Sequence, residues 1–456
     1  MSDIIVCTTP KTAVMKRCPE CRRDYYDDSL LYCLDDGTAL LEGPSSAKEL
    51  PTAILHDASQ DAVQTKIHPD SVSKAKESNV RTVRSRSLPL MVGSIAVVTF
   101  LAVALTLYFR RNEPSTSAAG TIDHNKAYEY YLRGKIKIGS ENAEDNEASI
   151  KFLEQAIAAD PNYAEAYAAL AQAYNVKAFL RASGDEKKRL NDDAEVAMEK
   201  ALNLNPNLAQ AHFVRGLILW TPEKRFPHEQ AIQSYKRAIA LDPNFDDAHH
   251  RLAVVYFHIG LFDKAKVELD KAMAINPNNT LARFRYGVID SYRGRYEEAL
   301  TSFKTIPREA SPALIDRNVA DVLFRLGRFA ESEALVEDYF RKYPTDEGGN
   351  VTSVKAMLLA HAGKENEAEE AIQRANDIGQ GYGHFHHTAY NIGSAYALMN
   401  KPDEAVKWLT VAAENGFPCY PYFEIDKTLD NIRQYPEFIA FMTKLKAQWE
   451  KYSSSL

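Results

Sequence analysis

The spacing of apolar and polar residues changes character along the chain. From about residue 122 onward, small and apolar residues recur every three or four positions between charged ones, which predicts amphipathic helices. Residues 88–109, LPLMVGSIAVVTFLAVALTLYF, are 22 positions without a charge. As a helix rising about 1.5 Å per residue they reach about 33 Å, enough for a hydrocarbon core of about 30 Å, so they predict one transmembrane helix. Residues 42–87 show no sustained period and are rich in Ser, Ala, Asp, Lys and Thr, the pattern of a disordered linker. Residues 110–121 read as a second, short linker. The first 41 residues hold four of the five cysteines.

The periodic region contains one element four times: AIAADPN (156–162), ALNLNPN (201–207), AIALDPN (238–244) and AMAINPN (272–278). The prolines at 161, 206, 243 and 277 stand 45, 37 and 34 residues apart, and each ends a helix because its ring cannot continue the ladder. In 246–279, small Ala253 and Ala265 let paired helices approach, while Leu252, Tyr256 and Leu269 fill the space between them. Gly260 marks the turn, Phe262 packs beside it and Pro277 closes the unit. The next unit carries Tyr286, Gly287, Gly294, Tyr296, Ala299 and Phe303; looser ones follow around Ala320, Gly327 and Phe329, around Ala356, Gly363 and Ala368, and around Gly393, Tyr396, Ala405 and Leu409.

These positions and the 34-residue interval resemble the tetratricopeptide repeat (TPR). The resemblance implies an all-α TPR superhelix over 122–417, about eight helix pairs, with residues 418–452 as a capping segment whose last helix starts near Pro436. The longer proline intervals imply inserted turns. AYEYYLRGK at the start of the array, and the stretch from GHFHHTAYNIGSAYALMN to NIRQYPEF near its end, resemble TPR modules attached to bacterial serine/threonine kinases and membrane-bound winged-helix regulators. No Gly-rich loop, HRD or DFG string accompanies them here, so kinase activity does not transfer and no enzyme is expected.

The front of the chain reads CPEC, then eleven residues, then CLDD: Cys18, Cys21, Cys33 and Asp36. Two cysteines on a tight turn with a second ligand pair a hairpin away is the layout that wraps a structural zinc ion, and a segment this short would depend on the metal for its fold. Asp36 stands where a fourth cysteine is usual, and Asp35 or Cys7 are alternative fourth ligands. The string resembles the zinc-ribbon-like knuckles at the front of bacterial regulatory proteins, over residues 15–41, and Met15 stands where such knuckles often begin. A thioredoxin-like redox reading lacks the βαβ pattern it needs.

The formal net charge of -7 and pI near 6.0 give no nucleic-acid footprint. Lys74, Lys76, Arg81, Arg84 and Arg86 precede the apolar segment and only Arg110 and Arg111 follow it closely, which orients the N-terminus to the cytoplasm. The expectation is a single-pass protein of the bacterial inner membrane with its array outside the cytoplasm. Its concave face would bind a protein or peptide, with no small-molecule substrate. The alternative is a regulatory or sensor subunit of a signalling system whose kinase, cyclase or DNA-binding domain lies on another chain. The repeat register puts Phe213, Trp220, His250, Val254, Phe257, Phe284, Val288 and Tyr292 on or near the concave side as candidate partner anchors, the competing assignment being inter-repeat core. The Lys/Asn/Arg clamp for a C-terminal carboxylate is missing. The histidines at 384, 386 and 387, and at 249, 250 and 258, are not expected to hold a metal, because neighbours at a helix start rarely converge on one ion and no Cys or Glu completes either set.

Overall fold

The computed structural model describes residues 16–17, 24–25, 41–42 and 122–456, apart from 139–142, 181 and 309–310. The chain divides into two units, Met1–Ile122 and Asp123–Leu456. In the first, three short strands pair antiparallel: β1 (Lys16–Arg17) lies between β2 (Asp24–Tyr25) and β3 (Leu41–Glu42). Lys16 pairs with both Tyr25 and Glu42. The proposed ligands Cys18, Cys21, Cys33 and Asp36 lie outside the described residues, as do the linkers and the apolar segment 88–109. Among the described residues no helix is long and apolar enough to cross a membrane.

The second unit is a run of antiparallel helix pairs. The first is α1 (His124–Lys137) with α2 (Ala143–Ala159), then α3 (Ala164–Leu180) with α4 (Gly184–Leu204) and α5 (Ala209–Leu219) with α6 (His228–Leu241). Next are α7 (Asp246–His258) with α8 (Phe262–Ile275), α9 (Thr280–Tyr292) with α10 (Tyr296–Phe303) and α11 (Pro312–Arg325) with α12 (Phe329–Lys342). Then come α13 (Asn350–His361) with α14 (Glu365–Gly379) and α15 (Phe385–Leu398) with α16 (Pro402–Glu414). Short α17 (Tyr420–Ile425), a 3-10 turn (Lys427–Ile432) and α18 (Pro436–Ser455) complete it. The eight pairs agree with the sequence reading. The extra length in the first two proline intervals goes into the long α3–α4 pair and the 220–227 loop between α5 and α6.

The repeated Asp/Asn-Pro-Asn string has a local cause. The Asp or Asn side chain accepts the backbone N–H two residues on: Asp160 from Asn162 at 2.9 Å, Asn205 from Asn207 at 3.1 Å, Asp242 from Asn244 at 3.0 Å and Asn276 from Asn278 at 3.1 Å. The side chain thus closes the turn that the proline forces between pairs. Within a pair the small consensus residues set the distance between helices. A Cβ on Gly287 would sit 2.6 Å from Phe303, so only glycine lets α9 and α10 close on that ring.

The C-terminal segment does not simply extend the stack. Past α16 the chain turns back, and α18 lies against the third and fourth pairs. The Trp449 Nε1–H donates to the Gly260 carbonyl at 3.3 Å, Lys451 pairs with Glu229 at 3.0 Å, and the Lys236 ammonium reaches the Leu456 carbonyl at 3.0 Å. Gly260, at φ +78°, turns α7 into α8 directly beneath Pro421 and Trp449, where a Cβ would meet Pro421 at 2.6 Å. Lys444, Lys446, Glu450 and Lys451 face solvent, the polar outer face expected of a capping helix.

Candidate functional site

Because the chain turns back, the concave centre is packed with its own side chains. All eight proposed anchors are buried: Phe213, Trp220, His250, Val254, Phe257, Phe284, Val288 and Tyr292 are each 7 % exposed or less and belong to, or pack within, one continuous core. In this structure none offers a surface to a partner. Tyr292 shows why, since its ring meets Tyr422 of α17 at 4.6 Å and Phe417 at 5.3 Å. Phe213 and Phe284 are instead covered within the repeats, packing on Phe245 at 4.8 Å and Phe303 at 5.0 Å.

A buried ion cluster fastens this closure. Arg325, at the end of α11, pairs with Asp321 one turn earlier at 2.9 Å and with Asp426 beyond α17 at 2.6 Å. Asp426 also accepts the Tyr390 hydroxyl at 2.5 Å and the Thr428 N–H at 2.8 Å. Burial pushes the Asp426 carboxyl up, but the Arg325 guanidinium and the hydrogen bonds from Tyr390 and Thr428 together outweigh it and hold the carboxyl below its ordinary value.

The structure also brings together residues that the sequence reading had kept apart. His258 ends α7, His384 caps α15, and His386 and His387 lie in its first turn. One ring nitrogen from each lies within 4.8 Å of the others. The expectation that the two histidine sets hold no metal rested on each set alone; His258 completes the other one across the closed centre. His249 stays apart, its Nδ1 2.5 Å from Glu268, and His250 is buried in α7.

A groove of about 710 Å³ lies open on pairs six and seven. Phe329, Val336, Phe340 and Leu359 supply its apolar floor, and the Phe329 and His361 rings stack at 3.9 Å. Lys355, Lys364 and Arg374 face Glu333, Glu337, Glu367 and Glu370 around the rim. Thr352 also lines the groove, its hydroxyl donating to Asp346 at 2.6 Å.

Stacked antiparallel pairs with small residues at each crossing define an α-solenoid. Comparison with known proteins names its repeat. The family profile for "TPR repeat" matches residues 228–260, and two tetratricopeptide repeat profiles match 246–279 and 287–347. The chain therefore carries tetratricopeptide repeats. Tetratricopeptide repeat protein 28 of Homo sapiens is 37% identical over 73 residues, 16% of this chain and 3% of that protein. Anaphase-promoting complex subunit 3 of Schizosaccharomyces pombe is 26% identical over 182 residues, 40% of this chain and 25% of that one. The chain spans a quarter or less of the length of these curated relatives. Among solved structures, a Rap protein complexed with competence and sporulation factor superposes with a TM-score of 0.56 at 13% identity, over 72% of this chain and 98% of that one. That likeness is one of fold.

Proposed function

We propose that this chain is a non-catalytic, membrane-anchored TPR scaffold that binds a protein or peptide partner in the groove of pairs six and seven. The open groove, beside a concave centre already filled, carries the reading: it joins an apolar floor to rim charges of both signs, which suits a short peptide with apolar anchors and mixed charge. The 22 uncharged residues at 88–109 support an inner-membrane anchor, and the basic residues before them support a cytoplasmic N-terminus with the array outside the cytoplasm. Zinc held by Cys18, Cys21, Cys33 and Asp36 would make residues 15–41 a docking or regulatory head. The ligand spacing supports this, as does the pairing of Lys16 with Glu42, which joins the two ends of that segment.

Photo-crosslinking in bacterial cells tests the reading. A photoreactive residue replaces Leu359 in the groove or, as control, exposed Val267 on α8. The expected result is one discrete adduct from position 359, found in the membrane fraction and lost on Phe340→Glu, with none from 267. Equal adducts from both positions, or none from either, contradict it.

A further inference from the structure

We infer that His258, His384, His386 and His387 form a site for one first-row transition-metal ion of the zinc, copper and nickel class, in the closed centre of the array. The inference starts from geometry. The Nε2 atoms of His258 and His387 stand 3.3 Å apart. Two imidazole nitrogens bound to one tetrahedral zinc at about 2.0–2.1 Å are separated by about 3.3–3.4 Å. The other two histidines bring a nitrogen within 4.8 Å of this pair, so a small contraction of side chains completes four ligands.

Hydrogen bonding agrees. A carbonyl oxygen can only accept, so the His258 Nδ1, 2.7 Å from the Val254 carbonyl, carries the proton and leaves Nε2 bare. A backbone carbonyl behind the far nitrogen is the usual outer partner of a metal-binding histidine, fixing its ring and tautomer. His387 has the Tyr292 hydroxyl 3.4 Å from its Nδ1. Without metal, the Tyr292 O–H donates to Nδ1 and the His387 Nε2–H donates to His258. With metal, His387 shifts to its other tautomer, Nδ1–H donating to the Tyr292 oxygen and Nε2 turning its lone pair to the ion. No net proton is released by that exchange.

His384 and His386 supply the independent observation. Both ring nitrogens of His386, which is fully buried, and Nδ1 of His384 find no hydrogen-bond partner in the protein; the Asn415 backbone lies near His386 without reaching bonding geometry. An unpartnered buried polar atom costs about 1–3 kcal/mol, so three of them at one spot call for a ligand. The rings are held by aromatic packing, Trp220 edge-on to His258 at 4.9 Å and Phe417 edge-on to His387 at 5.1 Å. Trp220 is itself tied by its Nε1–H to His228 at 3.0 Å.

The donor set then selects the ion. Arg317, Arg285 and Arg251 place positive charge near these rings, which opposes every cation alike, but the four donors are imidazole nitrogens and, among the described residues, no carboxylate joins the cluster. A hard cation such as calcium or magnesium, held by anionic oxygen, is disfavoured there. Zinc, copper and nickel bind neutral imidazole strongly enough to form the site.

The test uses the full chain in detergent with Cys18→Ser, Cys21→Ser and Cys33→Ser, stripped by chelator and titrated with cobalt(II). The expected result is one equivalent bound, with visible ligand-field absorption, no thiolate charge-transfer band, and displacement by zinc. Unsubstituted chain would add the thiolate band if the front knuckle also binds. His386→Phe, checked for intact helical circular dichroism, should weaken cobalt binding by more than the ~10–100-fold that loss of an outer partner costs, and Tyr292→Phe should fall within that range. Absence of visible absorption in the protein with all four histidines overturns the proposal, as does unchanged affinity in folded His386→Phe. The first titration alters no residue of the array, so a misfolded variant cannot leave the outcome undecided.

Discussion

His386 has both ring nitrogens buried, and burial pushes its pKa from the ordinary imidazole value of 6.5 to about 3. His228 is pushed to about 3 by the same cause, while His258, His384 and His387 lie well below 6.5 through burial first and neighbouring positive groups second. These are depressed values, so the unfolded chain takes up protons that the folded one refuses. Stability is fully present above about pH 6.5 and falls as pH drops below it toward 3. Each such histidine contributes up to about 1.4 kcal/mol per pH unit in that window. Urea midpoints of chelator-treated protein should therefore be level from pH 8 to 7 and decline from pH 6 to 5, with a shallower decline in His386→Phe. Equal slopes in the two proteins would mean that His386 is not buried as described. Little of this was legible beforehand. The two histidine clusters are visible in the sequence, but 126 residues separate His258 from His384 and nothing periodic connects them. The only available signal was an excess of histidine next to aromatic residues on inner-face positions.

At the scale of the element, the repeats were legible because the pairs are built from local rules: a glycine or alanine at the crossings, an apolar stripe between, and, after the first four pairs, an Asx turn before a proline. Those rules keep their order even where α3, α4 and the 220–227 loop lengthen the interval from 34 to 45 and 37 residues. The return of α17 and α18 obeys no such rule. It is held by scattered long-range contacts, among them Cys419 to the Phe257 carbonyl at 3.4 Å and Arg325 to Asp426 at 2.6 Å, each involving residues far apart in the chain. Asp426→Ala removes one partner of a buried charge and leaves Arg325 with Asp321 alone. Such losses cost about 3–5 kcal/mol, so denaturant unfolding of Asp426→Ala should show a drop of that size. A change under about 1 kcal/mol, the range of exposed ion pairs, would show that the return segment is not fastened there.

For the whole molecule, the closed centre changes what the array can do. An open superhelix would present its aromatic inner face, and the eight anchor candidates followed from that assumption. The eight are instead core, and the surface left for a partner moves outward to the groove between α12, α13 and α14. The fold class could be read from the sequence because it repeats; the location of the free surface could not, because it depends on where the last forty residues come to rest. Cys419 reports that closure directly, being the one cysteine in residues 122–456, fully buried, and with its thiol pKa pushed up by burial. In a chain with its other four cysteines changed to serine, the rate at which a thiol reagent labels Cys419 is the measurement to make. A closed centre predicts negligible labelling in native buffer and a rate that rises only through the denaturant unfolding transition. Rapid stoichiometric labelling of the native protein would contradict it, and would return the concave aromatic face to the surface as a binding site.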